Sequence, residues 1–110
     1  MPLTLYGLKN CDTCKKALKA LAEAGKPAEF VDIRAEADLQ TKVPLWLGAA
    51  GPDKLMNTRS TTWRGLSEAE RASDPQALLI ANPTLIKRPV IEAGDQIYIG
   101  WAKDTQAALL

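Results

Sequence analysis

The first third of the chain predicts a strand, a helix and a second strand. Leu3-Thr4-Leu5-Tyr6 is a short run suited to a strand that ends at Gly7. An amphipathic helix follows, whose apolar positions at i, i+4 and i+7 are Cys14, Leu18 and Leu21. Gly25 stands where a left-handed C-terminal cap belongs, so we expect the helix to end there. Phe30-Val31-Asp32-Ile33 is apolar on both faces, which predicts a strand buried on both sides in a parallel sheet and a right-handed β-α-β unit.

Residues 35–83 predict a helical insertion that prolines and glycines interrupt. Leu39 to Ala49 suits a helix in which Pro44 either opens the first turn or causes a kink. Two further helix starts are indicated, by a capping box and by an N-cap before a proline, at Ser67–Glu70 and Asp74-Pro75. The last of these helices is expected to stop near Asn82-Pro83.

The C-terminal part predicts a β-hairpin and a closing helix. Val90-Ile91-Glu92 and Gln96-Ile97-Tyr98-Ile99 are strand-like and flank the turn Ala93-Gly94-Asp95. Residues 103–110 suit a short helix. The sequence therefore predicts a single α/β domain over residues 1–110, in which a helical insertion separates the β-α-β unit from the hairpin.

The composition restricts the available chemistry to that of thiols, carboxylates, amines and guanidinium groups. The 110 residues are 46% hydrophobic and 25% charged, which is ordinary for a globular protein. A net charge of +1 argues against direct nucleic-acid binding, which needs a strongly basic surface. With no His and only 2 Cys, neither a Cys-His pair nor a metal site is expected. No apolar run reaches the ~20 residues of a membrane span and no signal peptide is recognisable, so a cytoplasmic location is expected.

The two cysteines are the main candidates for chemistry. Cys11 is predicted at the start of the first helix and Cys14 three residues inside it. Unpaired N–H groups and the helix dipole at that end stabilise a thiolate, which lowers the pKa of a thiol and makes the sulfur nucleophilic. Asp12 would oppose this effect, and three cations would add to it, namely Lys9, Lys15 and Lys16. The i, i+3 spacing places both sulfurs on one face of the helix, so that Cys11 would attack and Cys14 would resolve.

Less specific interpretations of the cysteines exist. A CxxC motif also occurs as half of a zinc site, which here would need two further ligands that are not His. Cys14 lies on the apolar stripe and could serve only as a small core residue. A CxxC that opens the helix of a β-α-β unit is nevertheless the redox pattern of thioredoxin-like proteins.

Two polar segments contain arginines that could act with Cys11. Residues 57–65 include Arg59 and fit either an anion clamp or a solvated loop in which Trp63 is held in the core. Arg88 could be a surface charge or could reach the site. Pro89 precedes the hairpin, and from its position alone a trans peptide bond is expected, because cis bonds occur at only ~5–6% of such positions.

Three segments together resemble the ArsC/Spx family of arsenate reductase-like proteins, and most of all its small YffB-like branch. These segments are YGLKNCDTCKKA (residues 6–17), LMNTRSTTWR (residues 55–64) and LIKRPV (residues 85–90). They occur in the family order and span most of the chain. The resemblance implies a thioredoxin-like fold with a helical insertion, and a cis Pro89 that faces the cysteine.

The same resemblance implies the roles of the site residues. Cys11 would be the nucleophile and Arg88 an anion-binding partner, whereas Cys14, the resolving residue that the spacing predicts, is an addition because many chains of this branch keep only the first cysteine. Three residues are assigned to binding of the substrate or its anion, namely Asn10, Arg59 and Pro89. No bound cofactor is expected. The implied partners are glutathione as thiol co-substrate, or a glutaredoxin-like thiol donor, with a small-molecule or protein disulfide as substrate and the chain as a monomer.

The sequence also departs from the arsenate reductases of this family, which surround one cysteine with three arginines. The apolar pair Leu55-Met56 is followed by Asn57 instead of an arginine, and Arg59 comes two residues later. No basic residue follows the hairpin before Lys103. The sequence thus favours a cytosolic, glutathione-dependent thiol–disulfide reductase. Its alternatives are a glutaredoxin-linked arsenate reductase and an Spx-like redox-sensing transcription regulator that binds RNA polymerase.

Overall fold

A computed structural model describes residues 3–110 and contains four strands, seven α-helices and a short 3₁₀ turn within that range. In chain order the elements are β1 (Leu3–Gly7), α1 (Asp12–Glu23), β2 (Ala28–Asp32), α2 (Leu39–Ala50), α3 (Pro52–Leu55), α4 (Thr61–Arg64), α5 (Glu68–Arg71), α6 (Pro75–Ala81), the 3₁₀ turn (Pro83–Leu85), β3 (Val90–Ala93), β4 (Gln96–Ile99) and α7 (Lys103–Leu109). None of the helices in residues 3–110 has the length and apolar character needed to cross a membrane.

The four strands form one mixed sheet with the order β2-β1-β3-β4. β1 pairs in parallel with β2, where Leu5 lies beside Phe30. On its other side β1 pairs antiparallel with β3, where Leu5 lies beside Ile91. β3 and β4 form the hairpin, whose turn places Gly94 at φ 65°. The predicted β-α-β start, hairpin and closing helix are all present.

The position of β2 corrects one expectation from the sequence. Phe30 to Ile33 were expected to form a strand buried on both faces of a parallel sheet, but β2 is an edge strand and its residues are half-buried or exposed. Ile33 is fully buried, yet it lies just beyond the strand, where its N–H donates to the carbonyl of Gly7 at 2.9 Å. The buried central strands are β1 and β3, because each has neighbours on both sides.

Helix α1 buries the predicted apolar stripe against β1. Cys14, Ala17 and Leu21 are buried in one cluster with Leu3 and Leu5 of the strand. Successive side chains of a strand point to opposite faces, so the side chains of β1 that meet α1 are those of every second residue. Gly25 adopts φ 77° beyond the end of the helix, as the sequence predicts for a left-handed cap.

Residues Asp38–Lys87 pack as a second unit, distinct from the unit formed by the chain up to Ala37 together with Arg88–Leu110. The predicted insertion at 35–83 therefore corresponds to Asp38–Lys87. The description of residues 1–110 as a single domain stays a prediction.

The second unit is helical, and its core includes Val43 and Trp46 of α2, both fully buried. Pro44 lies inside α2, so the helix does not begin at the proline. Both predicted start signals are confirmed, since Ser67 forms a capping box with Glu70 and Asp74 accepts a hydrogen bond from Ala77 N–H. The loop interpretation of residues 57–65 expected Trp63 to be held in the core, but Trp63 lies in α4 and is half-buried, with the guanidinium of Arg71 5.2 Å from its ring centroid.

Candidate active site

The pairing of β1 with β3 joins the N-terminal segment of the first unit, which contains Cys11, to the C-terminal segment, which begins at Arg88. The register runs from Leu3 opposite Ala93 to Tyr6 opposite Val90. Gly7 and Leu8 follow directly after Tyr6, and Arg88 and Pro89 come directly before Val90, so both short segments lie at the same end of the strand pair. The loop from Leu8 then turns directly into α1, because Cys11 N–H donates to the carbonyl of Leu8 at 3.1 Å.

Cys11 is the N-cap residue of α1, with extended backbone angles of φ −90° and ψ 116°. Its carbonyl accepts the first hydrogen bond of the helix, from Lys15 N–H at 3.0 Å. The Cys11 side chain is half-buried, whereas Cys14 is only 1% exposed. Both cysteines are free thiols in the structure. One sulfur is thus accessible to a substrate while the other is covered.

The surroundings of Cys11 favour its thiolate. Partial burial by itself raises the pKa of the Cys11 thiol, but three groups together outweigh that effect and hold the pKa below its ordinary value. These are the backbone N–H of Cys14, the thiol of Cys14 and the guanidinium of Arg88, which donates to the sulfur and also attracts its charge. The amide of Cys14 acts through its proximity, since the Cys11 side chain does not form a regular capping hydrogen bond. Cys11 is therefore suited to act as a nucleophile.

Cys14 is held in the opposite state. Burial raises the pKa of the Cys14 thiol to about 11, and the nearby Cys11 sulfur adds to the increase by accepting its proton in a hydrogen bond and by its own negative charge. The backbone N–H of Leu8 and the charge of Arg88 only partly oppose this. Cys14 is thus a neutral hydrogen-bond donor to Cys11 and at the same time a core residue. The two interpretations that the sequence left open for Cys14 are compatible.

The predicted lowering of the Cys11 pKa is confirmed, but the groups that cause it were only partly foreseen. The sequence pointed to Lys9, Lys15 and Lys16 as the cations near the sulfur. The charge that stabilises the thiolate comes instead from Arg88, which lies far along the chain. Arg88 is half-buried, with a buried Nε atom, and is therefore more than a surface charge. The Arg88–Pro89 peptide bond is cis. The trans bond expected from the position of Pro89 alone was therefore wrong, and the cis bond implied by the resemblance is confirmed.

Two of the other predicted site residues, Pro89 and Asn10, lie in the first unit, and the third, Arg59, lies in the second. Pro89 is fully buried before β3, and its carbonyl accepts a hydrogen bond from Gly100 N–H at 2.8 Å. Asn10 is exposed and lines a cavity of about 420 Å³ whose remaining residues are Leu8, Lys9, Asp32, Arg34 and Ala35. Arg59 belongs to the second unit, where its N–H donates to Asn57 Oδ1 at 3.1 Å in a turn. Its part in substrate binding stays a prediction.

One residue of the site was missed by the sequence analysis. Gly7 was expected only to end β1, yet the thiol of Cys14 packs directly on it, so that a Cβ atom at this position would overlap the Sγ atom of Cys14. The sequence did contain a signal for this contact. Leu3, Leu5 and Gly7 share one face of β1, and a glycine in line with two leucines leaves a space that a side chain of α1 can fill.

The pH dependence of alkylation tests the contrast between the two thiols. We expect the rate of Cys11 alkylation by iodoacetamide to rise with pH with a midpoint below the ordinary thiol pKa of about 8.5, because the reactive species is the thiolate. Cys14 should react slowly until the protein is unfolded. Peptide mapping after timed alkylation separates the two sites. A Cys11 midpoint at the ordinary value would contradict the electrostatics described above.

A comparison with protein families now places the chain. The model of the ArsC family matches residues 6–109. The chain belongs to the ArsC family. An uncharacterized protein of Haemophilus influenzae is 43% identical over 114 aligned positions, which cover 96% of this chain and 97% of the relative. The global transcriptional regulator Spx of Staphylococcus saprophyticus is 28% identical, over 93% of this chain and 82% of the regulator.

Solved structures agree with this assignment. The structure of the YFFB (PA3664) protein is 35% identical and superimposes with a TM-score of 0.87 over 98% of both chains. That of an arsenate reductase (ArsC) related protein from Brucella melitensis is 33% identical, with a TM-score of 0.78 over 98% of this chain and 93% of the other. A glutaredoxin from Archaeoglobus fulgidus, at 18% identity and a TM-score of 0.51 over 97% of this chain and 83% of its own, shares the fold alone. The thioredoxin-like fold that the resemblance implied is thereby confirmed, and the ArsC family membership indicates a thiol-dependent oxidoreductase in general.

Proposed function

We propose that this ArsC-family protein is a thiol–disulfide reductase in which Cys11 is the nucleophile. The observation that carries the proposal is the half-buried Cys11 side chain at the start of α1, flanked by the buried thiol of Cys14 and the guanidinium of Arg88. Thiol–disulfide exchange needs an accessible thiolate of lowered pKa, and this arrangement supplies one. Glutathione is the thiol co-substrate in this proposal.

The first step is attack of the Cys11 thiolate on one sulfur of a disulfide. A bond forms between Cys11 Sγ and that sulfur, the substrate S–S bond breaks, and the second sulfur leaves as a thiolate that takes up a proton from solvent. The positive charge of Arg88 lies beside the Cys11 sulfur, from which negative charge moves to the departing substrate sulfur during this step. It would stabilise the departing thiolate, or a carboxylate of a glutathione moiety, in the same way that it stabilises Cys11.

The second step is attack of Cys14 on the mixed disulfide at Cys11. Burial keeps the pKa of the Cys14 thiol at about 11 in the reduced protein, with the Cys11 sulfur adding to the effect. Once Cys11 is part of a disulfide it has no negative charge and accepts the Cys14 proton only weakly, so the pKa of Cys14 falls, although burial still raises it. The first step thus favours attack by Cys14. Cys14 Sγ bonds to Cys11 Sγ, the bond from Cys11 to the substrate sulfur breaks, and the substrate leaves as a thiolate that takes up the proton lost by Cys14.

Two glutathione thiols complete the cycle in this scheme. The first opens the Cys11–Cys14 disulfide by forming a mixed disulfide at Cys11. The second attacks the glutathione sulfur of that mixed disulfide and releases oxidised glutathione and the Cys11 thiolate. Over the cycle one substrate disulfide is reduced to two thiols and two glutathione molecules are oxidised to one disulfide, so electrons and protons balance.

Intact-protein mass spectrometry after mixing the reduced protein with oxidised glutathione tests the proposal. Wild type should show a transient glutathione adduct that converts to a species lacking two hydrogen atoms, the Cys11–Cys14 disulfide. Cys14→Ser is the matched variant, in which the adduct should form but persist. Wild-type protein that forms no adduct and keeps both thiols would refute the reductase.

A second candidate function is arsenate reduction, which one observation favours. The Arg88 guanidinium beside Cys11 suits an oxyanion as well as it suits a carboxylate, and a relative of solved structure is described as arsenate reductase related. Against it, β4 contains no basic residue, and the first one after the hairpin is Lys103. Turnover of arsenate with glutathione and a glutaredoxin as thiol donors distinguishes this function from disulfide reduction.

The Spx-like alternative has support from the 28% identity to an Spx regulator. In that function the cysteine pair would be a redox switch, and contact with RNA polymerase would depend on its state. Binding of the purified protein to RNA polymerase under reducing and oxidising conditions separates this alternative from the enzyme.

A further inference from the structure

Gly7 lies beneath the cysteine pair and is the last residue of β1. It is fully part of the strand and does not have a positive φ, so its backbone conformation does not require glycine. Glycine is required here because there is no space for a side chain. A Cβ atom built at Gly7 would overlap Cys14 Sγ and would lie 3.2 Å from Cys14 Cβ, with Leu5 Cδ2 at 3.4 Å.

The sulfur of Cys14 thus occupies the volume in which the side chain of residue 7 would otherwise lie. Two polar groups act on this sulfur, because the backbone N–H of Leu8 lowers the pKa of the Cys14 thiol and the Cys11 sulfur, which accepts its proton, raises it. Because Cys14 is only 1% exposed and packs in a core cluster with Ala17 and Leu21, it has little room to adopt another rotamer.

We propose that Gly7 is a positioning residue for the reaction at Cys11: its missing side chain provides the space that places the Cys14 thiol against the Cys11 sulfur. Gly7 acts through Cys14, whose sulfur is the nearest atom to a Cβ at this position. The proposal rests on the proposed function, because it gives Gly7 a part in activating Cys11 and in forming the Cys11–Cys14 disulfide. A side chain at position 7 displaces Cys14 Sγ, weakens its hydrogen bond to Cys11 and misaligns the two sulfurs.

The test is Gly7→Ala, with Gly48→Ala as its matched control. Gly48 lies in α2 and a Cβ atom there would meet nothing within 4 Å, so the control makes the same chemical change in open space. We expect Gly7→Ala to move the midpoint of Cys11 alkylation upward, so that the rate well below the midpoint falls about 3- to 10-fold, because the thiolate fraction there changes tenfold per unit of pKa. Formation of the Cys11–Cys14 disulfide from the glutathione adduct should slow by a similar factor. Gly48→Ala should match wild type in both measurements.

The same substitution in a Cys14→Ala background shows whether the effect passes through the sulfur. With Sγ removed, the new Cβ at position 7 meets the Cβ of residue 14 and Leu5 Cδ2 but no sulfur, and Gly7→Ala should no longer shift the alkylation midpoint. An equal shift in both backgrounds would overturn the proposal. If Gly7→Ala alone does not fold, thermal unfolding gives the answer, since Gly7→Ala/Cys14→Ala should regain the folded state and its failure to do so overturns the proposal too.

The wild-type profile separates this inference from the function on which it rests. An ordinary thiol midpoint for Cys11 in wild type contradicts the proposed function itself. A lowered wild-type midpoint that Gly7→Ala leaves unchanged contradicts only the role of Gly7.

Discussion

Replacing Cys11 by serine is expected to abolish disulfide reduction, with turnover falling by about 10³-fold or more, as when an enzyme loses its nucleophile. A serine hydroxyl is not ionised near neutral pH, and it cannot form the mixed disulfide through which the reaction passes. The measurement is reduction of a glutathione mixed disulfide with glutathione as reductant, followed for the wild type and the Cys11→Ser variant side by side.

This variant separates catalysis from stability unusually well. Cys11 is the N-cap of α1, and serine is among the preferred residues at that position because its hydroxyl accepts a hydrogen bond from the first turn. The melting temperature of Cys11→Ser should therefore equal or exceed that of wild type while the activity is lost. Cys14→Ser provides the second comparison, since it keeps the nucleophile and should still form the glutathione adduct. Residual turnover in Cys11→Ser near the wild-type level would rule out Cys11 as the nucleophile.

Replacing Arg88 by alanine should have the next largest effect, a reduction of about tenfold in the rate at neutral pH. A hydrogen bond to a charged group contributes about 1.5–3 kcal/mol. Because the Cys11 sulfur is partly exposed to solvent, which screens charges, the lower end of that range applies, and this corresponds to roughly tenfold. The midpoint of Cys11 alkylation should rise in the same variant, since Arg88 is one of the groups that lower the pKa of this thiol.

Two further variants test whether the charge and the shape of Arg88 matter separately. Arg88→Lys keeps the positive charge but loses the planar fork of the guanidinium, so an intermediate alkylation midpoint is expected. Lys87→Ala removes the exposed cation next in sequence and should leave both rate and midpoint at the wild-type values. An unchanged midpoint in Arg88→Ala would show that the thiolate does not depend on this side chain.

Elements with local signals could be predicted from the sequence. Gly25 and the apolar stripe from Cys14 to Leu21 defined α1, and the capping residues Ser67 and Asp74 marked two helix starts that the structure confirms. In each of these cases the atoms that determine the structure lie within a few residues of one another, so the local pattern contains the necessary information.

Features that depend on residues far apart along the chain could not be predicted in the same way. The half-exposed state of β2 follows from its place at the sheet edge, which is set by the pairing of β1 with β3 and not by the composition of β2. The contact between Arg88 and Cys11 arises from the same pairing, which is why the nearby lysines appeared to be better candidates. The resemblance to a family supplied the cis Pro89 that position alone did not indicate.

The sheet order also has a consequence for the newly synthesised chain. Cys11 is made early, but the arginine that stabilises its thiolate comes just before β3, and β3 must pair with β1 before that arginine can reach the sulfur. A nascent chain that has not yet emerged as far as Arg88 therefore has both cysteines but lacks the cation that helps to stabilise the Cys11 thiolate. The thiolate of Cys11 is therefore fully stabilised only when β3 has paired, and a chain released prematurely by the ribosome would lack one of the three groups that lower the pKa of this thiol.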